Sequence, residues 1–159
     1  MVQSATDRIE KSIEIHAPMQ RVWEAITDYR QFSQWFRVNL ETAFVVGEKS
    51  SGQITYPGYE HVRMEVMVTA IEPIQYFAFQ WHPYAVDPNT DYSSEPPTLV
   101  EFRLKMSETA ADGSVTLLEV SESGFDALPA SRRDEAFRMN EGGWSAQINN
   151  IRDYVQQDD

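Results

Sequence analysis

The sequence predicts an α+β fold: a curved antiparallel sheet, two short helices after its first strand, and a long C-terminal helix that closes a cavity against it. Three observations lead there. Short runs of alternating apolar and polar residues fill most of the chain, which is the period of half-buried strands. Short turns join these runs, and strands joined by short turns pair antiparallel. Near the C-terminus the period changes: Trp144, Ile148, Ile151 and Val155 stand at i, i+4, i+7 and i+11, one stripe of a 3.6-residue helix. A lone helix arriving last must lay that stripe on the sheet. Each of these four side chains contributes roughly 1.5–3 kcal/mol when buried.

The elements follow in order. Residues 8–16 alternate, with Ile9, Ile13 and Ile15 on one face and Glu10, Ser12, Glu14 and His16 on the other; Lys11 interrupts the apolar side. Ala17-Pro18 ends this strand, and Pro18 suits the first turn of a helix that carries Val22, Ile26 and Tyr29. Thr27-Asp28 offers a break and a new N-cap for a second helix with Phe32, Trp35 and Phe36. Strands resume over 41–46 and 53–56, with 47–52 as the polar turn between them. Pro57-Gly58 turns the chain into a longer strand over 61–71, with Val62, Met64, Val66 and Val68 on one face. After Glu72-Pro73, residues 76–81 form the most aromatic strand, with Phe77, Phe79 and Trp81 on one side.

Residues 82–97 contain Pro83, Pro88, Pro96 and Pro97, which exclude regular structure; loops of this length are often lids or binding loops. Val100, Phe102, Leu104 and Met106 then alternate with Glu101, Arg103 and Lys105. Ala111-Asp112-Gly113 makes a hairpin turn, and the last strand runs from 115 to about 122. Glu122-Ser123-Gly124-Phe125 and a Pro-bearing turn lead into the final helix. Gly142-Gly143 inside that helix costs about 1 kcal/mol per glycine relative to alanine. It predicts a packing or kink accommodation, with room for a ligand as the other reading. The ends, 1–7 and 156–159, are polar.

The length of 159 residues suits one domain over 1–159 with a real core. Acidic residues outnumber basic ones 25 to 13, for a net charge of -12. Such a chain is repelled by phosphate backbones and anionic membranes, so neither nucleic acid nor membrane is an expected partner. The absence of cysteine removes disulfides, thiolate catalysis and cysteine metal sites together. The N-terminal residues carry no apolar run, no signal peptide is expected, and the expected location is the cytoplasm. His16, His61 and His82 are not paired at helical spacing, so no metal is expected. The turn 47–52 lacks the order of a phosphate-binding loop and joins strands, and no dinucleotide or hydrolase motif occurs. No cofactor is implied. Period-2 alternation turns Arg63, Glu65 and Glu119 to solvent, which leaves little for acid–base chemistry.

Four segments together carry a family resemblance. Ile15-His16-Ala17-Pro18 followed by Val22-Trp23-Glu24-Ala25-Ile26-Thr27-Asp28 resembles the strand-to-helix opening of the START-like (SRPBCC) superfamily. Phe32-Ser33-Gln34-Trp35-Phe36 resembles its second helix. Phe77-Ala78-Phe79-Gln80-Trp81 resembles its Trp-ended strand. Ser123-Gly124-Phe125 with Gly143-Trp144 resembles its exit into the closing helix. The chain is most similar to the heat-shock-protein-90 ATPase activator homologue branch, in its C-terminal-domain-like form. The resemblance implies a helix-grip fold, which hosts binders, transporters, cyclases and co-chaperones.

Set beside the aromatic load, it implies non-enzymatic binding of a small hydrophobic or amphipathic ligand between the C-terminal helix and the sheet. Trp144 and Ile148 would form the helix wall. Met64, Phe79, Trp81 and Phe102 would form the sheet wall, Trp35 and Phe36 would close one end, and the 83–97 loop would gate access. Phe125 joins the aromatic set, and Asn140 is the candidate polar anchor. The alternatives are a chaperone ATPase-activator-like interaction domain, with a chaperone ATPase or another protein as partner, and a cyclase or hydrolase. The last needs an ionisable group in the cavity, with Glu65, Glu119, His61 and Glu141 as candidates. A monomer or a homodimer is expected.

Overall fold

The structure, a computed structural model, describes residues 6–87, 89–110 and 112–157. Part of the polar N-terminus, Pro88 of the long loop, Ala111 of the hairpin turn and the last two residues lie outside the described residues.

The elements run β1 (Arg8–Ile15), α1 (Met19–Thr27), α2 (Tyr29–Phe36), β2 (Val38–Leu40), β3 (Lys49–Ile54), β4 (Arg63–Glu72), β5 (Tyr76–Trp81), β6 (Thr98–Met106), β7 (Thr116–Ser123) and α3 (Ala130–Gln156). The strands form one sheet in the order β1-β7-β6-β5-β4-β3-β2, and every neighbouring pair is antiparallel. This is the helix-grip arrangement, with α3 laid along the inner face. A register shift between Val68 and Ala70 interrupts the β4–β5 ladder; such bulges bend a strand and increase its twist.

Local chemistry explains the junctions. Pro18 caps α1 and Asp28 caps α2, where the Asp28 side chain accepts from the Arg30 backbone N–H at 3.0 Å. Arg37 closes α2 in a left-handed conformation, φ 66°. The chain therefore enters β2 at once. The strand expected over 41–46 is not formed: β2 lies earlier and pairs Val38 with Ile54, and 41–46 is irregular. The turn expected over 47–52 is correspondingly shorter, because β3 begins at Lys49. Gly52 lies within β3, where a Cβ would stand 2.1 Å from the Asn39 carbonyl oxygen; only glycine permits this close approach of β2 to β3.

The core fills the space between α3, α1, α2 and the sheet. Phe32, Phe77, Phe79, Phe102, Phe125, Leu118 and Ile151 are fully buried. Their rings meet at offset and edge-on geometries, for example Phe77–Phe102 at 5.8 Å and Phe102–Trp144 at 5.8 Å. Trp144, Ile148, Ile151 and Val155 all point into this core.

Candidate ligand pocket and the carboxyl behind it

A helix lying across a curved sheet covers its centre and leaves one side open. Here the open side is toward β3 and β4, and it holds a pocket of about 380 Å³. Its helix wall is Met139, Asn140, Gly143 and Gln147, the stripe adjacent to the one that enters the core. Gly143 adds no side chain, and a Cβ built there meets nothing within 4 Å. A Cβ at Gly142 also meets nothing within 4 Å, so neither glycine serves close packing, and Gly143 leaves room at the pocket wall. The facing wall is Ile54, Met64 and Trp81, with Phe36 from α2. Tyr56, Tyr59 and Val62 come from the β3–β4 connection, and Tyr84, Val86 and Tyr92 from the long loop.

That loop forms a fixed roof. Arg132, in the first turns of α3, donates to both carboxylate oxygens of Glu95, with Nη2 at 2.8 Å and Nε at 3.0 Å from Oε1. Its Nη1 donates to the Tyr84 carbonyl at 3.1 Å, and its guanidinium lies 4.7 Å from the Tyr92 ring centroid. The side chains of this pair are only 16% and 13% exposed, so water screens them little. Ring nitrogens of His82 and His61 meet the carbonyls of Glu95 and Val86 at 3.0 and 3.2 Å.

Behind the wall stands Glu122, fully buried at the end of β7. Its Oε1 accepts from the Trp144 indole at 2.8 Å and from the Asn140 amide at 2.9 Å. Its Oε2 accepts from the Trp81 indole at 2.7 Å and from the Thr98 hydroxyl. Burial pushes its pKa up, while these four donors pull the other way. An acceptor-only carboxylate suits four donors. A proton shared with Thr98 suits them as well, because a hydroxyl can turn and accept. Trp81 and Asn140 are both pocket wall and Glu122 partner, so the carboxyl fixes how these two groups are presented.

Of the residues expected to bind ligand, Phe36, Met64, Trp81 and Asn140 line the pocket. Trp35, Phe79, Phe102, Phe125, Trp144 and Ile148 do not. They are buried in the core, and Trp35 is also tied to the Ala25 carbonyl at 2.8 Å. The helix wall lies one stripe over from Trp144 and Ile148 because those two face the sheet. Glu65 and Glu119 pair with Lys49 and Lys105 at 3.3 and 3.0 Å, Glu65 at the border of the pocket and Glu119 away from it, and His61 and Glu141 are exposed. Glu122 was not among the candidates, although Leu118, Val120 and Glu122 share one face by simple alternation. Among the described residues no group of three His, Asp or Glu side chains could hold a metal ion, and no helix is long and apolar enough to cross a membrane.

A sheet gripped by one long helix, with a pocket at its open side, defines a START-like (SRPBCC) protein. The family model described as activator of Hsp90 ATPase homolog 1-like protein matches residues 16–156, and the chain belongs to that family. Among solved structures, a protein of the dynemicin biosynthetic locus, DynU16, is similar with TM-score 0.71 and 22% identity over 95% of this chain. The chain spans about half, 48%, of that protein's length. MLL2253 from Mesorhizobium loti is similar with TM-score 0.72 and 20% identity, over 96% of this chain and 98% of its own. The Aha1 dimer from Colwellia psychrerythraea is similar with TM-score 0.67 and 19% identity, over 94% and 96%. At these identities the likeness is one of fold. No curated protein matches the chain.

Proposed function

We propose that the protein binds a small hydrophobic or amphipathic molecule in this pocket and does not transform it. One observation carries the reading: at Gly143 the α3 wall borders open space and faces an aromatic rim across about 380 Å³. That volume falls in the range of small-molecule sites, which are apolar with a few convergent polar groups. The polar groups here are Asn140 and Gln147 on the helix wall, with Arg63, Glu65 and His82 at the facing rim. Of the four candidate ionisable groups only Glu65 borders the pocket, and it is paired with Lys49; Glu122 is engaged by four donors, so the reading assigns no proton-transfer step. With a net charge of -12 it favours a cytoplasmic binder that avoids nucleic acid and anionic membranes.

The test is titration with the neutral fluorophore N-phenyl-1-naphthylamine. The wild type is expected to give a saturable, blue-shifted signal, and Gly143→Leu, which fills the pocket, to lose it while keeping its circular dichroism. An absent or unsaturable wild-type signal overturns the reading. The family's description supports a second reading, contact with a chaperone ATPase, and the Colwellia relative is described as a dimer. Pull-down with such an ATPase and the native mass of the purified chain test these two points.

A further inference from the structure

We infer that Glu122 is a positioning residue that turns the Asn140 carbonyl into the pocket, so that the site selects ligands presenting an O–H or N–H donor; this rests on the pocket being a ligand site. The argument begins with what Glu122 can do. Its Oε1 already accepts from the Trp144 indole, and an indole N–H can only donate. The Asn140 amide approaches the same oxygen through Nδ2 at 2.9 Å. Bonding through nitrogen leaves Oδ1 on the other side of the amide.

Asn140 Oδ1 accepts no hydrogen bond among the described residues, and it is absent from the closed-off polar atoms, of which Arg133 Nε alone lacks a partner. It is therefore accessible, and the space Asn140 borders is the pocket. Gly143, one turn on, leaves the approach to it clear. The other helix-wall amide, Gln147, has its oxygen engaged by Asn150 at 3.0 Å. Arg63, the cation at the rim, is engaged by Glu41 and Ser51. The wall thus presents a fixed carbonyl acceptor set among aromatic rings. A ring-bearing molecule with a hydroxyl or amide N–H on its edge fits that arrangement, whereas an anion meets an acceptor backed by a carboxyl.

The test compares 2-naphthol with 2-methoxynaphthalene, which has the same ring system and no donor. The wild type is expected to bind the naphthol about three- to tenfold more tightly, the range of one neutral hydrogen bond. Asn140→Leu is expected to bring the ratio to about one. Glu122→Asp, which withdraws the carboxylate from the amide, is expected to lower it. If either variant fails to fold, the wild-type Asn140 side-chain amide resonance provides the second measurement: it should move with the naphthol and not with the ether. Equal affinity for both probes overturns the inference and leaves the pocket reading standing. Binding of neither probe overturns both. A ratio that persists in Asn140→Leu, or is unchanged in Glu122→Asp, removes the role given to that residue.

Discussion

Glu122 is the residue on which pocket wall and core meet. Replacement by glutamine keeps its shape but puts an NH2 group where one oxygen accepted. One indole N–H then loses its acceptor, at a cost of about 1–3 kcal/mol, readable as a shift in the urea midpoint. The pH dependence has a defined sign. Because burial raises the folded-state pKa above the ordinary 4.5, the folded protein holds this proton more tightly than the unfolded chain. The stabilisation is complete below the unfolded pKa and is lost as pH rises through the folded one. The wild-type-minus-Glu122→Gln stability difference should therefore fall as pH rises above the ordinary carboxylate range. A flat difference would mean that the four donors outweigh burial and that the group is ionised throughout. Residue-level legibility was uneven here. Asn140 and Trp81 were readable because of their type and place. Glu122 was passed over because a glutamate at a strand end reads as the start of a turn, although the alternation with Leu118 and Val120 already turned it inward.

The long helix was the most legible element, since four residues at helical spacing define one face. Its second face was harder to read. Asn140, Gly143 and Gln147 carry no apolar signal, and only the placement of the helix over the sheet shows that they border a cavity. The glycine pair tests this directly: Gly142→Ala and Gly143→Ala meet open space and should each stabilise the protein by up to about 1 kcal/mol, measured by thermal unfolding. Loss of stability would show hidden packing. The roof makes a second prediction. Arg132→Gln removes the paired contacts to Glu95 and should cost about 1–3 kcal/mol; amide exchange should accelerate in the 82–97 loop and little elsewhere. Uniformly faster exchange would count against a locally latched roof. Sequence could not supply this latch, because Arg132 and Glu95 are 37 positions apart and belong to different periodic patterns. Strand β2 escaped for another reason: three residues are too few for alternation to register, and the left-handed Arg37 moved the strand ahead of where the pattern suggested.

At the scale of the molecule, the order of strand, two helices, six strands and long helix was legible because each change of period coincides with a Pro, Gly or Asp signal. The location of the pocket was not, because aromatic residues do not state which of them will pack and which will line a space. Most went to the core: Phe79 and Phe102 are completely buried, and truncating either to alanine should cost about 3–5 kcal/mol. The net charge of -12 adds a global term. Raising salt from low to physiological ionic strength shortens the screening length from about 30 to about 8 Å and should raise the melting temperature by relieving self-repulsion.

The measurement that bears most directly on the central claim is an amide and indole chemical-shift map at saturating N-phenyl-1-naphthylamine. The account predicts movement at Gly143, Gln147 and the Trp81 indole, with the Trp35 indole, bonded inside the core, left in place. No movement, or movement confined to other surfaces, would contradict it.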